Sequence, residues 1–320
     1  MVNDFDSDRP LAFIGDIHGQ AKTLLALLDQ LGWTERDGRL RHDRGEALVF
    51  VGDLIDRGPE NLRTVEIVRS LVEQGDAICL MGNHEFNAVL FHTEDPDQPD
   101  QHLREQSEKN ILQHEAVLKE LDRRPGDKDD MLDWFKTLPV AVEGPGWRCV
   151  HACWHAGSLD VLPRQGSAWH LPAERWVAAA RDGEPEYTAI EALLKGPEHL
   201  LPEGAHFLDK EGIPRHHARI RWWEPEPATL EEALIFQYRP ERIDPTTLPY
   251  DASRHPAYPA DAPPVFFGHY WNPPGRIQPE RHNAVCLDYS VGKGGDLVAY
   301  RMETPGPVQS ENFIVQQIVR

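Results

Sequence analysis

Three short polar strings, each placed directly after an apolar run, constrain the fold of this chain more than any other feature. The runs at 11–14, 47–51 and 77–81 read as strands, and a helical pattern follows each string. Strand, loop and helix therefore recur three times, which indicates a parallel-type sheet covered by helices. In such sheets, ligands bind beyond the carboxyl ends of the strands. The strings lie there: Gly15-Asp16-Ile17-His18-Gly19, Gly52-Asp53-Leu54-Ile55-Asp56-Arg57-Gly58 and Gly82-Asn83-His84-Glu85.

The charge balance and the cysteines limit the class of protein. Acidic residues outnumber basic ones by 53 to 33, a net charge of −20, which argues against a general nucleic-acid binder but not against a small phosphorylated ligand. Four scattered cysteines suit buried thiols in a reducing compartment. Residues 1–10 lack a signal-peptide pattern, and apolar runs stay short of a membrane span. We therefore expect a cytoplasmic protein.

The side chains in the strings are of the types that bind divalent cations. Asp16 and His18 alternate around one residue, so both can point the same way from a strand end and suit one metal ion. Asp53 ends the next strand and can bridge to a second ion, for which Asn83 supplies a neutral oxygen. The sequence therefore predicts a site for two metal ions.

The second metal ion needs further imidazole ligands from later strand ends. His151 follows the strand-like residues 148–150, and His269 follows 265–268.

Helices and loops outside the polar strings are also predicted. Pro59 suits the first position of the helix after the second string, and residues 230–237 read as a short helix. The acidic run 127–130 reads as a solvated loop. A charged stretch in the insertion at about 95–135 predicts a helical cap segment. Its apolar residues at helical spacing are predicted to be core: Ile111, Leu112, Val117, Leu118 and Leu121.

The strings GDIHG, GDLIDRG and GNHE resemble those of the calcineurin-like metallophosphoesterases, and within them the phosphoprotein phosphatase branch and its bacterial relatives. The match is strong over 11–92 and thinner to 155 and around 265–290. It implies an α/β fold of the α+β four-layer type, with a central β-sandwich of mixed sheets flanked by helices. One domain over 1–320, with a variable substrate-facing region at about 159–262, is the expected organisation.

The resemblance also implies a dinuclear metal site, most often with Mn²⁺, and with Fe, Zn and Mg as alternatives. A water shared by the two ions would be the nucleophile. By carry-over onto matching positions, the first ion is held by Asp16, His18 and Asp53, and the second by Asp53, Asn83, His151 and His269. The family's His-Gly-Gly reads His151-Ala152-Cys153 here, so His155 is a second candidate. We favour His151 because it directly ends its strand.

Three residues receive catalytic roles from the resemblance. Arg57 would grip the phosphoryl oxygens through its planar fork, and His84, oriented by Asp56, would donate a proton to the leaving oxygen. Residues 221–225 are distantly similar to a Leu-Trp-Ser-Asp-Pro stretch of phosphoprotein phosphatases. One of Arg219 and Arg221 could therefore contact phosphate, or this basic cluster could be a solvated face.

The predicted function is a metal-dependent phosphomonoesterase of the protein serine/threonine phosphatase type. Asp56 and Glu85 favour it, because symmetrical dinucleoside-tetraphosphate hydrolases often have Ala and Asp at these positions. The alternatives are a hydrolase of dinucleoside polyphosphates or nucleotides, and a catalytically silent metal-binding scaffold. The expected partner is a phosphoprotein or a nucleotide, with no stable nucleic-acid binding and no membrane; the sequence does not indicate an oligomeric state.

Overall fold

A computed structural model describes residues 9–208, 212–236, 239–272, 275 and 277–320. Residues 1–8, on which the absence of a signal peptide was partly judged, and Gln237, the predicted end of a helix at 230–237, lie outside the described residues. Contacts divide the chain into two compact units. The main unit comprises the described residues up to Leu194 together with Pro263–Arg320, and the small unit is Lys195–Ala262. One domain over 1–320, with a variable region at about 159–262, stays a prediction.

The helices of the described residues fall mostly in the main unit. They are α1 (Ala21–Leu31), α2 (Asn61–Glu73), α3 (Asn83–His92), α4 (Glu108–Leu121), α5 (Asp127–Phe135), α6 (Ala156–Leu159), α7 (Trp176–Ala179), α8 (Pro185–Lys195) and α9 (Leu230–Ala233). Among the described residues, these helices are too short or too polar to cross a membrane.

The strands form two large sheets and three small ones. They are β1 (Leu11–Ile14), β2 (Trp33–Arg36), β3 (Arg39–His42), β4 (Ala47–Phe50), β5 (Ala77–Cys79), β6 (Ala141–Gly144), β7 (Trp147–Val150), β8 (Arg164–Gln165), β9 (Ala168–Trp169), β10 (Glu198–Leu200), β11 (Phe207–Leu208), β12 (Pro214–Arg215), β13 (His217–Ile220), β14 (Leu234–Ile235), β15 (Val265–Phe267), β16 (Ala284–Cys286), β17 (Asp288–Tyr289), β18 (Asp296–Met302) and β19 (Phe313–Gln316).

Both large sheets of the main unit are mixed. The first has the order β17-β18-β1-β4-β5, with β19 beside β18. Its strands β1, β4 and β5 are parallel, as the strand–loop–helix repeats predict, whereas β18 runs antiparallel to β1. The second sheet has the order β16-β15-β7-β6-β9-β8, in which β15 is parallel to both β16 and β7. The predicted metal ligands therefore follow the carboxyl ends of strands β1, β4, β5, β7 and β15.

The two large sheets share one apolar core and form a sandwich. Phe13 of β1 stacks on Phe266 of β15 with 3.7 Å between ring centroids, and Trp147 of β7 packs edge-on against Phe13. All three side chains are buried, and burying a side chain of this kind stabilises a fold by about 1.5–3 kcal/mol. Helices α1 and α2 contact the first sheet at β18 and β5. The predicted fold class, a sandwich of mixed sheets flanked by helices, is confirmed.

The start of α2 differs from its prediction. Pro59 was expected at the first helical position, but the helix begins at Asn61 after the N-cap residue Glu60. The reason is a tertiary contact: the backbone N–H groups of Asn61 and Leu62 donate to the carboxylate of Glu120, which lies on α4. A side chain distant in sequence thus satisfies the free donors of this helix end.

The predicted helical cap segment contains α4 and α5, and Val117 and Leu121 of the predicted apolar set are buried, but other members of that set are not. Ile111 and Leu112 are 43% and 70% exposed, so their assignment to the core is wrong. The buried positions are His114, Val117 and Leu121, which share one face at a spacing of three and four residues. The apolar pattern included Val117 and Leu121 but missed His114, because a histidine does not count as apolar.

Two smaller predictions also need correction. The acidic run 127–130, expected to be a solvated loop, forms the first turn of α5, where carboxylates interact favourably with the helix dipole. The helix predicted at 230–237 ends at Ala233 and gives way to β14, which pairs with β13 in the small unit. The four cysteines are buried and free, as expected.

Candidate active site

The predicted metal ligands all come from segments that follow strands of the two large sheets. They are Asp16 and His18 after β1, Asp53 after β4, Asn83 after β5, His151 after β7 and His269 after β15. Because these strands run parallel within each sheet, their carboxyl ends present the polar side chains together. The main unit alone supplies this set.

One group of possible ligand atoms forms around the first polar string. His18, Asp53 and His84 offer ligand atoms that all lie within 4.8 Å of one another. The Nε2 atom of His18 is 3.7 Å from Oδ2 of Asp53, and that of His84 is 3.8 Å from the same oxygen. His18 and Asp53 would contact a cation at this place, and His84, the predicted proton donor, lies beside them.

A second group shares Asp53 with the first. Asp53, His151 and His269 offer ligand atoms within 4.8 Å of one another. The Nε2 atom of His151 lies 3.3 Å from Oδ1 of Asp53 and 3.1 Å from Oδ1 of Asn83. The two oxygens of Asp53 therefore face different groups, which is the arrangement that a bridging carboxylate requires.

Hydrogen bonds on the far side of two imidazoles fit metal ligation. Nδ1 of His18 lies 2.9 Å from the carbonyl oxygen of Ile55, and Nδ1 of His151 lies 2.8 Å from that of Val51. A carbonyl only accepts, so each Nδ1 carries the proton and donates it. Each Nε2 is then left with its lone pair, which is the usual state of a metal-binding histidine.

Three buried carboxylates give the site an excess of negative charge. Burial, with Asp288 and Asp53 nearby, raises the pKa of Asp16 well above its usual range. Burial also raises the pKa of Asp288. Burial would raise the pKa of Asp53 too, but His151, His84 and His18 outweigh that effect and bring its pKa to about 2. Divalent cations would neutralise such a cluster, so the residues present fit the metal ions that the family implies.

The backbone of the site is strained at the functional residues. Five non-glycine residues there have positive φ: His18 (49°), Asp53 (54°), Asp56 (69°), Arg57 (70°) and His269 (63°). Such conformations are uncommon for these residue types and collect at functional sites. Gly268 is needed for a different reason, since a Cβ there would lie 1.9 Å from Oδ1 of Asp16.

The predicted proton donor and phosphate clamp lie beside the metal groups. Nδ1 of His84 donates to Oδ2 of Asp56 across 2.5 Å. Burial lowers the pKa of His84, but Asp53 and Asp56 outweigh it and raise that pKa. The guanidinium of Arg57 places Nη1 2.9 Å from Nε2 of His18 and Nη2 3.4 Å from Nε2 of His84. A proton donor and a two-pronged cation therefore face the same place.

Glu85 organises the loops rather than facing the metal groups. One carboxylate oxygen accepts the N–H groups of Asp53 and Gly82 at 2.9 Å, and the other accepts that of Leu54 at 2.8 Å. Burial and the nearby Asp53 raise its pKa to about 7. Glu85 thus ties the second and third strings together, a role that motif reading did not assign.

Sequence reasoning also missed Asp288 and His114. Asp288 follows β16 closely and precedes a glycine-rich turn, and the same strand-end signal that revealed Asp16 could have revealed it. His114 lies on α4 and donates from Nδ1 to Oδ1 of Asp56 at 2.8 Å. No pattern in the sequence connects His114 with Asp56, because the contact spans 58 positions and joins a helix to a loop.

The remaining predicted residues lie elsewhere. His155 forms a hydrogen bond of 2.7 Å from Nδ1 to the hydroxyl of Ser158, and it belongs to neither group of possible ligands among the described residues. Arg219 and Arg221 belong to the small unit, so their contact with phosphate stays a prediction.

Comparison with known proteins identifies the family. The profile of the calcineurin-like phosphoesterases matches residues 9–269. The chain belongs to this family. Its membership confirms the prediction of a hydrolase that acts on phosphate esters at the level of the family, and implies divalent metal ions.

Two curated relatives carry related names. The chain is 27% identical to the symmetrical bis(5'-nucleosyl)-tetraphosphatase of Aromatoleum aromaticum, over 91% of this chain and 92% of that protein. It is 49% identical over 71 residues to PrpE, an asymmetrical bis(5'-nucleosyl)-tetraphosphatase of Geobacillus sp. (strain WCH70). That second match covers 22% of this chain and 29% of PrpE, so the chain spans less than a third of that relative.

Solved structures of phosphatases are also similar to the chain. A protein serine/threonine phosphatase from Saccharomyces cerevisiae matches with a TM-score of 0.48 and 15% identity, over 98% of this chain and 80% of that one. The cold-active protein-tyrosine phosphatase of a psychrophilic Shewanella species matches with a TM-score of 0.48 and 17% identity, over 94% and 80%.

Proposed function

We propose that this chain is a metal-dependent phosphoesterase that hydrolyses phosphate monoesters with poor leaving groups, as in phosphoserine and phosphothreonine peptides. The observation that supports this most is the buried pair of His84 and Asp56, joined at 2.5 Å beside both metal groups. An alkoxide leaves poorly unless it receives a proton, and a positioned imidazole that delivers one accelerates such a step by about 10²–10⁴-fold.

Each residue of the site would have a different role in ester cleavage. Arg57 would bind two phosphoryl oxygens through its planar fork, which orients the phosphorus. His84 would give its Nε2 proton to the leaving oxygen, while Asp56 keeps the ring oriented through Nδ1. Two divalent ions, which we propose to be Mn²⁺ in a cytoplasmic enzyme, supply Lewis acidity and a water of lowered pKa when bound.

A second candidate is a hydrolase of dinucleoside polyphosphates. It is favoured by the similarity to the symmetrical bis(5'-nucleosyl)-tetraphosphatase of Aromatoleum aromaticum, which extends over 91% of the chain. A nucleotide leaves as a weakly basic phosphate, so this reaction would depend much less on His84. The two candidates thus make different demands on the same residue.

The test compares the two substrates directly. The Mn²⁺-loaded protein is assayed with a phosphoserine peptide and with diadenosine tetraphosphate at equal enzyme, and kcat/KM is measured for each. The proposal expects the higher value for the peptide. A value at least tenfold higher for diadenosine tetraphosphate would establish the second candidate instead.

A catalytically silent scaffold is the third hypothesis. It would retain the metal ligands and lack a proton donor or a clamp, whereas His84, Asp56 and Arg57 stand together beside the metal groups. Inactivity of the metal-loaded protein on every phosphate ester of a broad screen would support it.

A further inference from the structure

The carboxylate of Asp56 is held from two sides. Its Oδ2 accepts a hydrogen bond from Nδ1 of His84 at 2.5 Å, and its Oδ1 accepts one from Nδ1 of His114 at 2.8 Å. All three residues are at most 5% exposed. The inserted helix α4 therefore contributes a histidine to the hydrogen-bond chain that ends at the predicted proton donor.

The backbone conformation of Asp56 does not by itself fix the direction of its carboxylate. Asp56 and Arg57 both have positive φ, an uncommon conformation that persists only where the surrounding structure holds it. A carboxylate with a single partner can still turn about its last bond. A second hydrogen bond on the other oxygen fixes the carboxylate plane, and with it the direction of the His84 ring.

Helix α4 makes a second contact with the start of α2, directly after the loop that carries Asp56. One carboxylate oxygen of Glu120 accepts the backbone N–H and the side-chain amide of Asn61, each at 2.7 Å, and the other accepts the N–H of Leu62 at 2.9 Å. The amide of Asn61 also donates to the carbonyl of Gly58 at 2.9 Å. Helix α4 thus contacts Asp56 before Arg57 directly, and Gly58 after Arg57 through Asn61.

We propose that α4 is a brace for the acid–base machinery, and that His114 is a positioning residue that acts through Asp56 on His84. His114 donates a hydrogen bond and transfers no proton; the proton that reaches the leaving oxygen comes from Nε2 of His84, and Asp56 stays ionised throughout. The inference rests on the proposed function in one respect only, the use of His84 as the proton donor.

A purely structural role for His114 makes a different prediction. The ring packs against Phe91 and His92, with centroids 5.4 Å and 5.5 Å away, so any substitution removes some packing. Lost packing would lower the stability and slow all substrates alike. A positioning role would instead slow the substrates that need a proton and spare those that do not.

The experiment uses three variants of the Mn²⁺-loaded full chain. H114L removes the donor, H114Q keeps an amide but moves it away from the Nδ1 position, and H114N places an amide N–H close to that position. The substrates are a phosphoserine peptide, whose leaving group needs a proton, and 2,4-dinitrophenyl phosphate, whose leaving group does not.

We expect kcat for the peptide to fall by about 10–100-fold in H114L and H114Q, a part of the full acid–base contribution. For 2,4-dinitrophenyl phosphate we expect less than about a threefold change, with KM nearly constant for both substrates. H114N should recover most of the loss. Equal losses on both substrates, or no loss on either, would overturn the proposal.

A double-mutant cycle with H84N separates His114 from effects elsewhere. If His114 acts through His84, H114Q should cause no further loss in the H84N background; a full additional loss contradicts the proposal. If the wild-type protein hydrolyses only diadenosine tetraphosphate, the proposed function fails and with it the use of His84 as the proton donor. If the wild-type protein hydrolyses the phosphoserine peptide and H114Q leaves that activity unchanged, only the role of His114 is overturned.

Discussion

The strand-end loops and helix α4 both place buried polar side chains at one site, but they do so by different means. The loops after β1 and β4 hold His18, Asp53 and Arg57 in segments where the backbone leaves regular structure and φ is positive. Helix α4 keeps regular geometry and reaches the site through the side chains of His114 and Glu120. The difference indicates that predicted metal ligands and the predicted phosphate clamp sit on strained loops, whereas α4 supports the site from regular structure.

The largest effect is expected for His84, because its ring is held by Asp56, the loop residue that α4 contacts. Replacing His84 by Asn should lower kcat for a phosphoserine peptide by about 10²–10⁴-fold, because the proton donor is lost. Metal content, measured by elemental analysis, should not change. The exposed His217, replaced by Asn, is the matched control. Wild-type turnover of H84N would show that another group protonates the leaving oxygen.

Substitution of a predicted metal ligand on a loop should weaken metal binding more than a substitution on α4. Asp53→Asn removes the carboxylate charge that both groups share, so metal affinity should fall by at least about 100-fold, since even outer-layer partners of a ligand account for 10–100-fold. Isothermal titration with Mn²⁺ measures this. Asp43→Asn, in an exposed ion pair with Arg36, is the control and should bind normally. Unchanged affinity in the Asp53 variant would remove the proposed bridge.

The two faces of α4 should differ in their contribution to stability. Leu121 is 6% exposed, so Leu121→Ala should lower the free energy of unfolding by about 2–5 kcal/mol. Leu112 is 70% exposed, and the same substitution there should change it by less than about 0.5 kcal/mol. Urea denaturation checks both. Similar losses would mean that the helix packs on a different face.

The smallest effect is expected for a substitution that fills the space next to Asp16, a predicted metal ligand. Gly268→Ala would bring a methyl group within 1.9 Å of Oδ1 of Asp16 and 2.8 Å of Val51, so the loop must shift. We expect a loss of about 1–3 kcal/mol in stability, as for overpacked sites, together with weaker Mn²⁺ binding. Gly126→Ala, where a Cβ has no neighbour within 4 Å and φ is −69°, is the matched control for the loss of a glycine outside the positive-φ region. Full metal affinity in the Gly268 variant would show that the close approach is not required.

The sequence predicted those parts of the molecule whose signals are local. A strand followed by a polar string and a helix is contiguous, so β1, β4 and β5 and the residues after them could be read directly. The sandwich of mixed sheets followed from the resemblance of the strings to a family. By contrast, the apolar pattern assigned Ile111 and Leu112 to the core, because periodicity cannot tell which of two half-apolar faces meets another surface.

By itself the sequence determined which residues can bind cations and which end a strand, because residue chemistry and strand periodicity are properties of short segments. Only the tertiary structure decided that Glu120 caps α2, that Glu85 ties two strings together, and that His114 holds the far side of Asp56. These hydrogen bonds join positions 32 to 59 residues apart. Packing sets such contacts, and packing depends on the whole chain at once.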